Sequence, residues 1–189
     1  MTVVSIFTFV YCAWVVSEVL ILLITRTRRS SGSVQDRGSL VLLWPAIALS
    51  TWAALYYGAL HPHTMLHGAA WIQSLALAVF LLGLAVRWVA IFSLGRSFSA
   101  NVAIHAGQTL YRKGLFRVVR HPSYSGMLLC FVAIGIVERN WVSLAIMLIL
   151  PTAALLYRIH VEEIALRNAF GQDYVAYSRT TKRLIPGIY

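Results

Sequence analysis

Residues 69–94 read AAWIQSLALAVFLLGLAVRWVAIFSL, an apolar run interrupted by one ionisable residue, Arg87. At about 1.5 Å of rise per residue, such a run forms a helix long enough to cross a hydrocarbon layer of about 30 Å. Two more runs of this kind lie upstream, at about residues 2–24 and 40–60. Two shorter ones follow, at about 124–137 and 141–157, parted only by Glu138-Arg139-Asn140. So short a connection predicts a helical hairpin, with Pro151 expected to kink its second arm because proline lacks a backbone donor. The wider composition agrees. Of 189 residues, 59% are hydrophobic and 12% charged, against about 45–50% and about 25% in soluble domains. The expected fold class is an all-α integral membrane bundle of five transmembrane helices, forming one domain over residues 1–189.

The first run is expected to stay as a span. It has no basic leader, exceeds the apolar core of a signal peptide, and its charges (Arg26, Arg28, Arg29) come after it. The distribution of Lys and Arg then orients the bundle. With the N-terminus outside, Arg139 alone of the 16 basic residues falls on the outer side, and the other fifteen fall inside. The C-terminus is therefore expected in the cytoplasm, together with the segments 95–123 and 158–189. The net charge of +10 follows from topology and anionic lipid, and requires no nucleic-acid partner. Cys12 and Cys130 both sit in apolar runs, which excludes a disulfide framework.

Chemistry is then expected at the cytoplasmic mouth. In Arg120-His121-Pro122-Ser123-Tyr124 the proline suits a first helical position. Free backbone N–H groups of that turn, with Arg120, would suit a carboxylate or phosphate, or Arg120 would anchor lipid headgroups. Downstream, Arg158 and Glu162 share a helix face at i,i+4, and Glu163 and Arg167 share the adjacent one. These are intrahelical ion pairs, or else Arg158 holds an anion while Glu162 holds a cation. Glu18 and Arg87 lie at similar depth inside the first and third spans. An ionisable group there costs several kcal/mol or so unless paired. They are expected to pair, with a snorkelling Arg87 or a substrate-binding Glu18 as the alternatives. His61-x-His63 with His67 has no carboxylate or cysteine nearby, so no metal is expected. No histidine sits inside a span to ligate haem. Tyr11, Trp14, Trp44, Trp52, Trp88 and Trp141 read as packing and interface aromatics.

Three strings together go further. Arg120-His121-Pro122-Ser123-Tyr124-x-Gly126, then Arg158-x3-Glu162-Glu163-x2-Leu166-x3-Phe170-Gly171-x2-Tyr174-x2-Tyr177, and finally Leu184-Ile185-Pro186, closely resemble the isoprenylcysteine carboxyl methyltransferase family. The resemblance spans roughly residues 95–189; the first two spans carry little of it. It implies an S-adenosylmethionine-dependent methyltransferase with a cytoplasmic cofactor pocket, roofed by 95–123 and the C-terminal helices. By position it implies cofactor contacts at Gln108, Thr109, Leu110, Tyr111, Phe116, His121, Pro122, Ser123, Tyr124 and Glu162. It places Arg158 on the acceptor carboxylate, with Tyr124 beside the reacting groups. A common form of the family motif has His at Gln108, Val at Tyr111 and Tyr at Phe116, so adenosine contacts are expected to differ in detail. The minimal set of spans looks like a prokaryotic member, in an inner membrane. The implied acceptor is an isoprenylcysteine-like or other lipophilic carboxylate entering from the bilayer. Other readings are a phospholipid or small-thiol methyltransferase of the same superfamily, a nicotinamide-dependent reductase, and a non-catalytic membrane scaffold. Oligomeric state has no signature in the sequence.

Overall fold

The computed structural model describes residues 2–25, 33–34, 38–61, 70–99, 103–104 and 107–189. Arg26, Arg28, Arg29, Arg37, His63 and His67, invoked above for orientation or metal binding, lie outside the described residues. Six α-helices carry the architecture: α1 (Val3–Thr25), α2 (Ser39–Leu60), α3 (Ala70–Leu94), α4 (Pro122–Val137), α5 (Trp141–Phe170) and α6 (Gln172–Thr180). Two 3-10 turns, Gly95–Ser97 and Gly114–Arg117, lie between α3 and α4. A two-residue antiparallel pair, β1 (Ser33–Val34) with β2 (Ala103–Ile104), was not expected; Ser33 faces Ile104 and Val34 faces Ala103.

Among the described residues four helices are long and apolar enough to cross a bilayer: α1, α2, α3 and α5. The predicted fifth, α4, is a shorter apolar helix of 16 residues, about 24 Å at helical rise. The outward surface of the bundle is apolar. Ile24 is 79% exposed, Val41 76%, Phe92 72% and Ile149 71%, an arrangement that suits lipid and not water.

The hairpin forms as its sequence predicts, and Asn140 is the reason. Its side-chain oxygen accepts from the backbone N–H groups of Val142 and Ser143, at 2.9 and 3.2 Å, capping α5. Its amide donates to the carbonyl of His61 at 2.9 Å, tying the turn to the end of α2. The second arm continues past the expected span, through Pro151 and on to Phe170, and ends where Gly171 takes φ +51°. The helical face read for Arg158–Arg167 is thus continuous with the last long helix, which takes in the first part of the expected cytoplasmic segment.

Where α3 meets α4 there is no room for side chains. A Cβ on Gly126 would lie 2.5 Å from the Gly83 carbonyl oxygen, and one on Gly83 would lie 2.7 Å from that of Gly126. The two backbones touch, as small residues permit between membrane helices. One turn beyond Gly83, Arg87 is thereby set against the start of α4. Helix α1 joins through aromatic rings: Phe7 and Trp14 pack on Phe80 at centroid distances of 5.0 and 5.7 Å.

Gly126→Ala should force α3 and α4 apart and destabilise the bundle by about 1–3 kcal/mol. Thermal unfolding in detergent measures it; an unchanged midpoint would mean the contact yields without cost.

Candidate functional site

The inner half of the bundle is wired by charge. Glu18 and Arg87 pair as expected, through both carboxylate oxygens and the Nε and Nη2 of the guanidinium. Trp14 Nε1 donates to Glu18 at 2.8 Å. Arg87 Nη1 reaches further, donating to Ser123 Oγ at 2.8 Å. Both charges are buried, and the fork geometry with its extra hydrogen bonds is what a buried pair needs to hold. Ser123, in the first turn of α4, is thereby tied through α3 to α1.

Outside the bundle, the segment after α6 folds back along the entry to α4. Val119 and Lys182 form a parallel bridge. Arg120 N–H donates to the Lys182 carbonyl at 2.7 Å, and His121 N–H to the Arg183 carbonyl at 3.0 Å. Ser125 Oγ donates to the Leu184 carbonyl at 2.6 Å. Beneath this strap sits Glu163, its side chain only 4% exposed, 2.9 Å from both Arg120 Nη2 and Arg183 Nη2. Its carboxylate in turn pushes the Arg183 pKa up. One expectation is corrected here. Arg120 lines the cavity described below, and its guanidinium also donates to Glu163 and to the carbonyls of Ser178 and Thr181. Glu163 is bound by these two arginines from other segments, not by Arg167 on its own helix, because the folded-back strap brings them closer.

The N-terminus of α4 also offers less than predicted. The N–H groups of Tyr124 and Ser125 both donate to the His121 carbonyl at 3.0 Å. The field of the helix end remains, but those two donors are occupied.

Arg158 and Glu162 do share a face of α5, yet a third residue comes between them. Tyr124 OH donates to Glu162 Oε2 at 2.7 Å, and Arg158 Nε donates to the same hydroxyl oxygen at 2.9 Å. The expected intrahelical pairing is relayed through a tyrosine on α4. Arg158 Nη1 also donates to Ser39 Oγ on α2, at 2.8 Å.

Glu18, Arg87, Arg120, Tyr124, Arg158 and Glu162 open onto one cavity, which with its mouth holds about 1260 Å³ of empty space. Gln108, Thr109, Leu110, Tyr111 and Phe116 form one wall. His121, Pro122, Ser123 and Tyr124 line it from α4, and Arg158 and Glu162 from α5. The residues that the family resemblance implies for the cofactor and acceptor thus line one cavity. Sequence reasoning missed Phe170, Tyr174 and Tyr177, which add aromatic surface, although their spacing in the string after Glu163 was the available signal. Burial pushes the Tyr177 pKa up to about 12, so its hydroxyl stays a donor to the Phe116 carbonyl, at 2.5 Å. Ser39 was missed as well, and a lone serine at a helix start gives no signal. Apolar side chains share the lining: Ile21 and Leu22 of α1, Leu40, Leu43 and Trp44 of α2, and Met127.

Comparison with known proteins matches residues 75–168 to the isoprenylcysteine carboxyl methyltransferase family. The chain belongs to that family. Protein-S-isoprenylcysteine O-methyltransferase B of Arabidopsis thaliana is 31% identical over 118 residues, 61% of this chain and 60% of the plant protein. The Protein-S-isoprenylcysteine O-methyltransferase of Schizosaccharomyces pombe is 31% identical over 116 residues, 60% of this chain and 49% of that one. The chain thus spans about three fifths or less of the length of these curated relatives. A solved structure of the eukaryotic intramembrane Ras methyltransferase of the family superposes with a TM-score of 0.59 at 24% identity, covering 77% of this chain and 52% of that one. That likeness shows a shared isoprenylcysteine carboxyl methyltransferase fold.

Glu163→Ala would leave Arg120 and Arg183 facing one another without their shared carboxylate, a loss of about 3–5 kcal/mol for a buried pair. A lowered melting midpoint, with faster proteolysis after α6, is the expected result; an intact strap would show that its backbone hydrogen bonds suffice.

Proposed function

We propose that the chain is an S-adenosylmethionine-dependent membrane methyltransferase acting on the carboxylate of an isoprenylcysteine-like or similarly lipophilic acceptor. The observation that carries this is the meeting of Glu162, Tyr124 and Arg158 on one cavity that is also lined by apolar side chains of α1 and α2. The names of the curated relatives support the reaction class.

The residues present fit the cofactor. Glu162 offers a carboxylate to an ammonium, and the N-terminus of α4 offers a positive field to a carboxylate. Tyr111, Phe116 and Tyr177 offer aromatic surface to an adenine, with Gln108, Thr109 and Leu110 alongside. When bound, S-adenosylmethionine supplies an electrophilic methyl group on sulfur. The chain's own task is then placement. Arg158 holds and orients the acceptor carboxylate, which is already ionised near neutral pH, so no side chain need remove a proton. Tyr124 fixes the guanidinium that does the holding. The strap and α6 keep water from the reacting groups, where alignment in a dry site lowers the barrier. The apolar side chains of α1 and α2 take the acceptor's tail from the bilayer.

In this reading α4 is the fifth crossing, made short by its packing against α3 and α5. The N-terminus lies outside, and the cavity mouth and C-terminus lie in the cytoplasm, as the distribution of basic residues supports.

Calorimetric titration of the detergent-purified chain with S-adenosylhomocysteine tests the cofactor half. Micromolar binding is expected, weakened by about tenfold or more in Glu162→Gln. Absence of binding by folded wild-type protein would overturn the assignment. Arg158→Ala should leave this affinity within about twofold while raising KM for a prenylated cysteine acceptor by about tenfold or more. Equal losses on both would break the division of roles.

A further inference from the structure

The string Leu184-Ile185-Pro186 lines no part of the cavity, yet the chain around it is firmly shaped. Leu184 is buried, and its carbonyl accepts from Ser125 Oγ at 2.6 Å. Beyond it the backbone closes a turn. The N–H groups of Leu184 and Ile185 donate to the Tyr189 carbonyl at 2.7 and 2.8 Å, and Ile188 N–H donates to the Ile185 carbonyl at 3.1 Å. Gly187, at φ +76°, admits the reversal. Arg183 holds the turn from behind, its guanidinium 5.3 Å from the centroid of the Tyr189 ring and its Nη1 donating to the Tyr189 hydroxyl at 3.0 Å. So ordered a turn nevertheless points apolar side chains outward: Ile185 is 42% exposed and Ile188 76%.

The depth of this turn in the bundle says what meets those side chains. Ser125 fastens it to the first turn of α4, and Arg87 of α3 donates to Ser123 in that same turn. From Arg87, α3 continues to Leu94, about 10 Å further in the direction of its own cytoplasmic end. Along that stretch Val89 and Phe92 are exposed apolar residues. The turn is therefore level with a part of α3 that still presents an apolar surface to its surroundings. Basic groups surround it: Lys182 in the strap, Arg179 at the end of α6 and Arg117 before α4 are all exposed. Among the described residues none of the three has an ion-pair partner, since Glu163 is held by Arg120 and Arg183, and Asp173 lies 3.9 Å from Arg112.

We propose that the turn Ile185–Tyr189 is an interfacial anchor, its isoleucines entering the boundary between headgroups and acyl chains while Lys182, Arg179 and Arg117 meet anionic phospholipid headgroups. Apolar side chains beside long cationic ones are what such a boundary accepts, because the cations reach the phosphates while their stems lie along apolar surface. The anchor stands on the fold alone and does not depend on the proposed function. Its reach includes the site all the same: the strap that carries it also carries Arg183, which donates to Glu163 at 2.9 Å. Lipid that seats the turn thereby seats the strap over the cavity.

The test places a polarity-sensitive, cysteine-reactive fluorophore at Ile188→Cys in the full chain. Cys12, which is exposed, is replaced by serine, and Cys130 is buried. The protein is reconstituted into vesicles of phosphatidylcholine, alone or mixed with phosphatidylglycerol. Quenching is measured with acrylamide from the water and with lipids brominated near the top of the acyl chain. A label at Gln172→Cys, exposed at the start of α6, serves as the reference in water. In mixed vesicles acrylamide should quench label 188 about threefold or more less than label 172, and brominated lipid should quench label 188 strongly. Omitting phosphatidylglycerol, or combining Arg179→Glu with Lys182→Glu, should raise acrylamide quenching at 188 by about twofold or more. Equal acrylamide quenching at 188 and 172 overturns the anchor. So does a label shielded from acrylamide that brominated lipid fails to quench, because protein would then cover the turn. Shielding unchanged by lipid charge and by the double variant overturns the recognition of anionic headgroups. Melting curves check that each variant is folded; if Ile188→Cys is not, the same comparison at Ile185→Cys decides.

Discussion

A carboxylate with almost no exposure, Glu163, is gripped by two guanidinium groups from distant parts of the chain, and everything outside the apolar bundle is arranged around it. Arg120 comes from the entry to α4 and Arg183 from the strap after α6. Desolvating such a carboxylate is costly, and only close, fork-shaped partners with further hydrogen bonds compensate for it. The geometry is therefore demanding, and what satisfies it also fixes three segments against one another. Once they are fixed, Glu162 on the next residue of α5 faces the cavity, and His121 lies between strap and site, with its Nε2 3.5 Å from Glu163. The placement of Glu162 and His121 is thus set by a charge buried beside the cavity.

The bundle repeats the device at greater depth. Glu18 and Arg87 are buried among apolar helices, where an unpaired charge is not tolerated. Their pair ends on Ser123, in the same helical turn as Tyr124. One ion-pair system approaches the start of α4 from the membrane side and the other from the surface side. The first turn of a helix of only 16 residues is thus held from two sides.

What could be read from the sequence follows from the range of the forces involved. The helix positions and the hairpin depend on local periodicity and neighbouring residues, so they were legible; the Asn140 cap was not read from the sequence. Glu18 and Arg87 were legible as partners because bilayer depth restricts the choice. The helix through Arg158–Arg167 was legible from its i,i+4 spacing, whereas that it is continuous with the last span, with Gly171 ending it, depends on the backbone between them. For Arg120 the sequence left an anion site and a headgroup anchor open. Its actual partners include the carbonyls of Ser178 and Thr181, which no local pattern could place beside it. The insertion of Tyr124 between Arg158 and Glu162 was likewise hidden, since spacing on one helix does not reveal what a second helix puts in the gap.

The cavity's residues differ in where they lie along the chain, and on the proposed function this bears on how such a protein would change its acceptor. The family match covers residues 75–168, which include Gln108 through Glu162. Ile21, Leu22, Leu40, Leu43 and Trp44 also line the cavity, and all lie upstream of that match. Residues that would meet a methyl donor must satisfy a fixed set of charges, so few substitutions would preserve them. Residues that would meet an apolar tail need only volume and shape, and hydrophobic walls accept exchanges of similar size at little cost. On that reading, a bundle of this kind would hold its donor chemistry constant while α1 and α2 drift, and acceptor choice would rest with residues outside the family match.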